Sequence, residues 1–137
     1  MKSRESLIRL KKFHVDEKRR QVAQIQAMID DFNRMITDLD NQVAAEQART
    51  GIADVSHFAY STYAKSALKR RNNLTTSIGE LQKQLEDAQD VLAEAVEDLK
   101  KVEIIEERNQ EKARSAADAR EQADLDELAM TMRARSA

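Results

Sequence analysis

Residues 22–43, VAQIQAMIDDFNRMITDLDNQV, carry β-branched apolar residues at an interval of seven. The same interval extends toward the N-terminus and gives six positions: Ile8, Val15, Val22, Ile29, Ile36 and Val43. These are the a positions of a heptad repeat, and three of the d positions between them are also apolar, namely Ile25, Phe32 and Leu39. An apolar period of about 3.5 residues is typical of a left-handed coiled coil. The repeat therefore predicts a first helix over about residues 5–49.

A second, longer apolar series follows, in which intervals of four and three residues alternate without interruption. Its members are Leu74, Ile78, Leu81, Leu85, Ala88, Leu92, Ala95, Leu99 and Val102. This series predicts a second helix from about residue 57 to residue 133. Because the second helix is much longer than the first, its C-terminal part is expected to overhang.

Only one stretch of the chain favours a turn, residues 50–56. Gly51 suits a left-handed helix C-cap, and either Asp54 or Ser56 suits the N-cap of the next helix. The other glycine, Gly79, lies inside the second apolar series and is expected to remain helical at a cost of about 1 kcal/mol.

The distribution of charge favours pairing of the two helices within one chain. Residues 2–20 hold eight basic and three acidic side chains, whereas residues 86–107 hold nine acidic and two basic ones. A hairpin folded near residue 53 places these windows side by side and favours an antiparallel register. Partner numbers are then expected to add up to about 110 or 103. We prefer 110, in which Ile29 meets Leu81.

Composition supports an all-α fold, a single antiparallel left-handed coiled-coil hairpin over residues 1–137. The chain has no Pro, Cys or Trp and only two Gly, which leaves too few turn residues for a sandwich, barrel or α/β fold. No disulfide or thiolate metal site is possible, and we find no phosphate-binding loop, nucleophile motif or metal-ligand spacing. We expect no enzyme activity, cofactor or metal. The net charge of −2 argues against nucleic acid, and the absence of a ten-residue apolar run argues against a signal peptide or membrane insertion.

Two further features suggest contacts with partners. Residues 108–124 contain no bulky apolar side chain, and then Leu125, Leu128 and Met132 form a short stripe at helical spacing. This stripe is either a docking patch or part of a frayed tail.

The second feature is an aromatic cluster after the turn, which contains Phe58, Tyr60 and Tyr63. We call the line of packed a and d residues between the two helices the seam. The aromatic rings either close the open end of this seam or contact a partner, and both roles are compatible on different helix faces.

Several segments together resemble the flagellar FliJ protein family, most closely its α-proteobacterial members. They are Arg9-Leu10-Lys11-Lys12-Phe13, Asp16-Glu17-Lys18-Arg19-Arg20, the pair Tyr60-x-x-Tyr63 and Leu125-Asp126-Glu127-Leu128-Ala129. The resemblance covers nearly the whole chain. It implies a cytoplasmic component of the type III export apparatus, a stalk that binds and stimulates the hexameric export ATPase. It further implies contact with the export gate membrane protein, peripheral association with the inner membrane there, and binding of export chaperones.

The resemblance also implies which residues contact partners. The surface facing the ATPase would contain Leu7, Leu10 and Phe13 together with Leu125, Leu128, Met132 and Arg133. The surface facing the gate would contain Tyr60, Tyr63 and Ala67. The alternative interpretation is a structural or chaperone-like coiled coil that self-associates, which the molecular mass in solution would distinguish from a monomeric stalk.

Overall fold

A computed structural model describes residues 2–136 of the chain as two helices. The first, α1, comprises Lys2–Thr50, and the second, α2, comprises Thr62–Ser136. The described residues include no strand, and the all-α prediction is confirmed. The first and last residues of the predicted domain over 1–137 lie outside the described part of the chain.

The contacts divide the chain into two compact units. The turn unit is His14–Ala95, which includes the connection between the helices. The terminal unit consists, among the described residues, of 2–13 and 96–136. Each unit contains a segment of α1 and a segment of α2.

The core of the turn unit lies along the predicted seam. One cluster contains the buried residues Ile29, Ile78 and Leu81, with Ile25 and Leu85 among the side chains packed around it. All of these residues occupy a or d positions of the heptad repeat. These contacts between α1 and α2 are consistent with a hairpin. The cluster matches the predicted register in which Ile29 meets Leu81.

A second cluster of the turn unit lies nearer the connection between the helices. It contains Leu39, Val43 and Ala67, and Leu74 packs against it. Val43 and Ala67 again have numbers that add up to 110. The small side chain of Ala67 allows the two helices to approach closely beside the turn.

Gly51 ends α1 as predicted. Its φ of 73° lies in the left-handed region, and its N–H donates to the carbonyl oxygen of Gln47 at 2.8 Å. This bond is the one that characterises the left-handed C-cap, and glycine adopts the conformation without steric cost. Gly79 lies within α2, also as predicted.

The start of α2 differs from the expectation, because the helix begins at Thr62 rather than near residue 57. Its N-cap is Ser61, whose Oγ accepts a hydrogen bond from the N–H of Ala64 at 3.3 Å. Asp54 and Ser56 do not cap α2. They bond to each other, with the Asp54 carboxylate accepting from the Ser56 N–H at 3.0 Å and from its hydroxyl at 2.7 Å. This local bonding competes with helix formation.

The N-cap residue also connects the two helices. The Ser61 hydroxyl donates to Oε1 of Glu46 at 2.9 Å, and Arg49 donates to the same oxygen at 2.5 Å. The hydrogen bonds from Arg49 and Ser61 lower the pKa of Glu46 below its ordinary value. In the connection itself, the hydroxyl and N–H of Ser56 lower the pKa of Asp54. Both carboxylates therefore stay ionised to lower pH than ordinary Glu and Asp side chains, and their charge strengthens these hydrogen bonds.

In the terminal unit, the first turn of α1 contacts α2 through Arg4 and Glu106, whose charged atoms are 3.6 Å apart. Beyond this pair α2 continues for about 45 Å to Ser136 at 1.5 Å per residue. Every described side chain from Gln110 onward is exposed. Neither described helix carries an apolar stretch long enough to span a bilayer.

The two glycines provide a matched test of these helix assignments. A Cβ atom added at either position meets no other atom within 4 Å, so only the backbone conformation distinguishes them. Gly79→Ala should raise the free energy of unfolding by about 0.5–1 kcal/mol, because alanine is the better helix former. Gly51→Ala should lower it by about 1 kcal/mol, because the left-handed conformation strains a residue with a Cβ. Urea denaturation measures both, and shifts of the same sign would contradict the assignment.

Candidate partner-binding surfaces

The first candidate surface lies in the terminal unit near the start of α1. Leu7 and Leu10 are each about half-exposed, and so are Ile104 and Ile105 of α2. Arg4 contacts Glu106, and α2 numbers decrease as α1 numbers increase. Leu7 is therefore level with residue 103, within two residues of Ile104 and Ile105. We call these four exposed aliphatic side chains, which lie at similar levels of the terminal unit, the base patch.

The sequence interpretation found only the α1 half of the base patch. Phe13, the third residue predicted there, is 57% exposed. Ile104 and Ile105 were missed because they follow Val102 outside the heptad series. Two adjacent β-branched apolar residues off the seam, between acidic residues 103 and 106, were the available signal.

The second candidate surface is the predicted stripe near the C-terminus, here called the tail stripe. Leu125, Leu128 and Met132 are all more than half-exposed on α2, and Met130 is exposed beside them. The hydrophobic clusters of the described residues include none of these side chains. Arg133 is exposed in the last turn of the helix, where a positive charge interacts favourably with the helix dipole.

The structure does not bring the base patch and the tail stripe together into one surface. Twenty residues of continuous helix separate Ile105 from Leu125, which corresponds to about 30 Å along α2. A partner that contacts both must therefore reach two separate levels of the terminal unit.

The predicted gate-facing residues of the turn unit have different environments. Tyr60 is 5% exposed, and its hydroxyl accepts a hydrogen bond from Gln47 at 3.0 Å. Ala67 is 4% exposed within the cluster of Leu39 and Val43. Both side chains belong to the core, which leaves little of either for contact with a partner. Tyr63 is more than half-exposed, and its hydroxyl donates to Gln42 at 3.0 Å.

The aromatic cluster thus divides between the two roles considered for it. Tyr60 closes the seam, whereas Phe58 is 96% exposed in the connection before α2. The ring of Phe58 stacks on His57, with centroids 4.7 Å apart and planes 22° apart. An exposed phenylalanine supported by a neighbouring ring is a candidate contact residue.

The third candidate surface is a groove of about 390 Å³ along one side of the seam in the turn unit, here called the side groove. Leu39 and Leu74 line it together with the half-exposed Met35. Asp38 on α1 and Arg70 on α2 also line it. Within the described part of the chain, neither Asp38 nor Arg70 makes an ion pair or a side-chain hydrogen bond. The nearby Asp40 and Arg71, in contrast, form an ion pair with a distance of 2.5 Å.

The sequence interpretation did not find the side groove, because it followed only a and d positions. Met28 and Met35 are both g positions that flank the seam, and both are about half-exposed. Methionines at two successive flanking positions were the available signal, since flexible thioether side chains are common at adaptable binding surfaces.

The chemical character of the three candidate surfaces is set by the types of side chain that they expose. No group of three or more His, Asp or Glu side chains among residues 2–136 is arranged to hold a metal ion. The candidate surfaces instead combine exposed apolar side chains with scattered charges, a combination suited to protein contacts.

Comparisons with known proteins bear on the family of this chain. No curated protein and no solved structure matches the chain with significance. The family model described as flagellar FliJ protein matches residues 1–137, which is the whole chain. That family is a non-catalytic component of flagellar export. The chain with the paired helices and exposed tail described above belongs to the flagellar FliJ protein family and is a flagellar export-related protein.

Proposed function

We propose that this protein is the stalk of the flagellar type III export apparatus in the cytoplasm, where it binds and stimulates the hexameric export ATPase and links it to the export gate. The observation that carries the proposal is the tail stripe. Its bulky apolar side chains are exposed on α2, and none of them belongs to a hydrophobic cluster of the described residues. Exposed apolar stripes of this kind mark sites of protein contact.

The tail stripe suits a specific contact of modest size. Leu125 and Met132 are about 10 Å apart along the helix, so the stripe covers two helical turns. The preceding exposed segment, residues 110–124, contains no bulky apolar side chain and allows α2 to enter a hydrated channel without adhering to its wall. The stripe then provides the contact inside the ring.

Stimulation by such a stalk requires no catalytic group of its own. A ligand that binds the assembled ring better than the free subunits stabilises the ring by mass action. The base patch, about 30 Å along α2 from the tail stripe, supplies a second contact at a different level of the ATPase. Two contacts made by one chain raise the effective concentration of the second once the first is made.

The contact with the export gate is assigned to the turn unit. Its exposed aromatic residues, Phe58 and Tyr63, and the side groove offer a surface for a helical segment of the gate protein. Met35 provides an adaptable apolar wall, and Asp38 and Arg70 provide opposite charges on the two sides. A gate segment with a basic side chain toward α1 and an acidic one toward α2 would complement both. Export chaperones are further partners that the proposal includes.

The tail contact is tested by Leu128→Glu. Because the side chain is 57% exposed, the substitution should leave helicity and thermal stability nearly unchanged. A carboxylate in an apolar contact should raise the concentration needed for half-maximal stimulation of the export ATPase by about tenfold or more. The measurement is ATP hydrolysis by the purified ATPase as the protein is titrated into it.

The matched control for the tail is Ala119→Glu, which adds the same charge to the exposed polar segment of α2. Its stimulation curve should match that of the unmodified chain. Full stimulation by Leu128→Glu, or equal losses in both variants, would contradict the assignment of the tail stripe.

The gate contact is tested by Met35→Glu, with Asn33→Glu on the other side of the seam as the control. Both positions are exposed and receive the same charge. Met35→Glu should weaken binding to the cytoplasmic part of the gate protein by about tenfold, because it places a charge against the apolar wall of the groove. Asn33→Glu should bind as the unmodified chain does in the same calorimetric titration. Unchanged binding by Met35→Glu would place the gate contact elsewhere.

A further inference from the structure

Glu106 occupies an unusual position in the terminal unit. It is the buried charged residue of the described chain, 9% exposed, and it follows Val102 at the next seam position of α2. Its Oε2 is 3.6 Å from Nη1 of Arg4, and its Oε1 accepts a hydrogen bond from Gln110 at 3.3 Å. Oε2 is inaccessible to solvent and has no hydrogen bond. A buried carboxylate with one oxygen incompletely satisfied costs free energy that an apolar side chain would not.

The apolar seam alone does not select one register in this unit. The apolar series on α2 is uninterrupted as far as Val102. If α1 shifts by one heptad so that partner numbers add up to 103, Ile8 faces Ala95 and still has an apolar partner. In the opposite shift Ile8 would face Asn109 and lose its apolar partner. The competing arrangement is therefore the first of the two shifts.

The charged seam residues do distinguish these arrangements. Arg4 is the first seam position of α1, and Glu106 is the first charged seam position after the apolar series on α2. In the shifted register Arg4 would face Leu99, and Glu106 would lie beyond the seam residues of α1. The ion pair between them forms only when the residue numbers add up to 110.

We propose that Arg4 and Glu106 are positioning residues that set the register of α1 on α2 in the terminal unit. Polar residues at single seam positions of coiled coils specify alignment at a cost in stability, and this pair has the same arrangement. The alignment of the two helices is a property of the chain itself and is independent of the proposed function.

The register determines the composition of the base patch. With Arg4 at Glu106, the heptad repeat puts Leu7 and Ile105 at flanking positions on the same side of the seam, within two residues of the same level. In the shifted register Leu7 would lie beside Asp98, about 10 Å away along α2, and Ile105 would have no neighbour on α1. The ion pair thus assembles one apolar surface from two helices.

The test uses the absence of cysteine from the chain. One pair of substitutions, Leu7→Cys with Ile105→Cys, reports the observed register, and Leu7→Cys with Asp98→Cys reports the shifted one. All three positions are exposed, so the cysteines leave the seam unchanged. A short bismaleimide cross-linker is added to the full chain, and the yield of cross-linked monomer is measured by mass spectrometry.

The expected yield in the otherwise unmodified chain favours the first pair by about tenfold or more. Glu106→Leu should reduce this preference to about threefold or less while leaving the midpoint of thermal unfolding unchanged or higher, because an apolar seam residue costs less to bury. The combined exchange Arg4→Glu with Glu106→Arg should restore the preference. If the Arg4–Glu106 ion pair only stabilised the helices, breaking it would lower the midpoint of thermal unfolding and would leave the cross-linking preference unchanged.

Two results would overturn the proposal. One is an undiminished preference for the first pair in both Glu106→Leu and Glu106→Gln, the second of which keeps the size of the side chain. The other is a failure of the charge exchange to restore the preference in a chain whose circular dichroism shows full helicity.

Discussion

The packing of a and d residues of α1 against those of α2 is the interaction on which the rest of the structure depends. In the turn unit it buries Ile29 against Leu81 and Val43 against Ala67. Burial of aliphatic side chains stabilises helices far more than their intrinsic propensity does, and long helices in water need such a face. The connection between the helices depends on local contacts beside this seam. Gly51 ends α1, Ser61 caps the start of α2, and Glu46 accepts a hydrogen bond from Ser61.

The seam also determines where the protein can contact others. Side chains at a and d positions are used within the chain, so the apolar residues left for partners lie off the seam or beyond its end. Met35 and Leu7 flank it, and the tail stripe lies past Glu106, which contacts Arg4 in the first turn of α1. In the terminal unit, the first turn of α1 contacts α2 at Glu106, and the described side chains of α2 from Gln110 onward are exposed. The proposed division between gate and ATPase contacts follows from this difference.

The sequence predicted the parts of the molecule that heptad spacing controls and missed those that depend on local hydrogen bonding or on flanking positions. The helices follow from the heptad spacing and the cap at Gly51 from its residue type, whereas spacing left two registers open, of which the preferred one brings Ile29 and Leu81 together. The cap at Ser61 was missed because Asp54 and Ser56 are equally suitable capping residues by type and lie nearer the turn. In the structure the Asp54 carboxylate accepts hydrogen bonds from Ser56 instead. Ala67 was assigned to a partner by resemblance, although its heptad position places it in the core.

Hydrogen exchange along the full chain tests most directly whether the seam alone holds the helices in place. Amides in the two packed segments, residues 25–43 and 64–85, should exchange slowest, since they open only when the seam does. Amides from residue 110 to residue 136 should exchange much faster, because their helix is exposed on every side. Protection of this extension equal to that of the packed segments, in a chain that is monomeric by mass, would contradict this explanation of the structure.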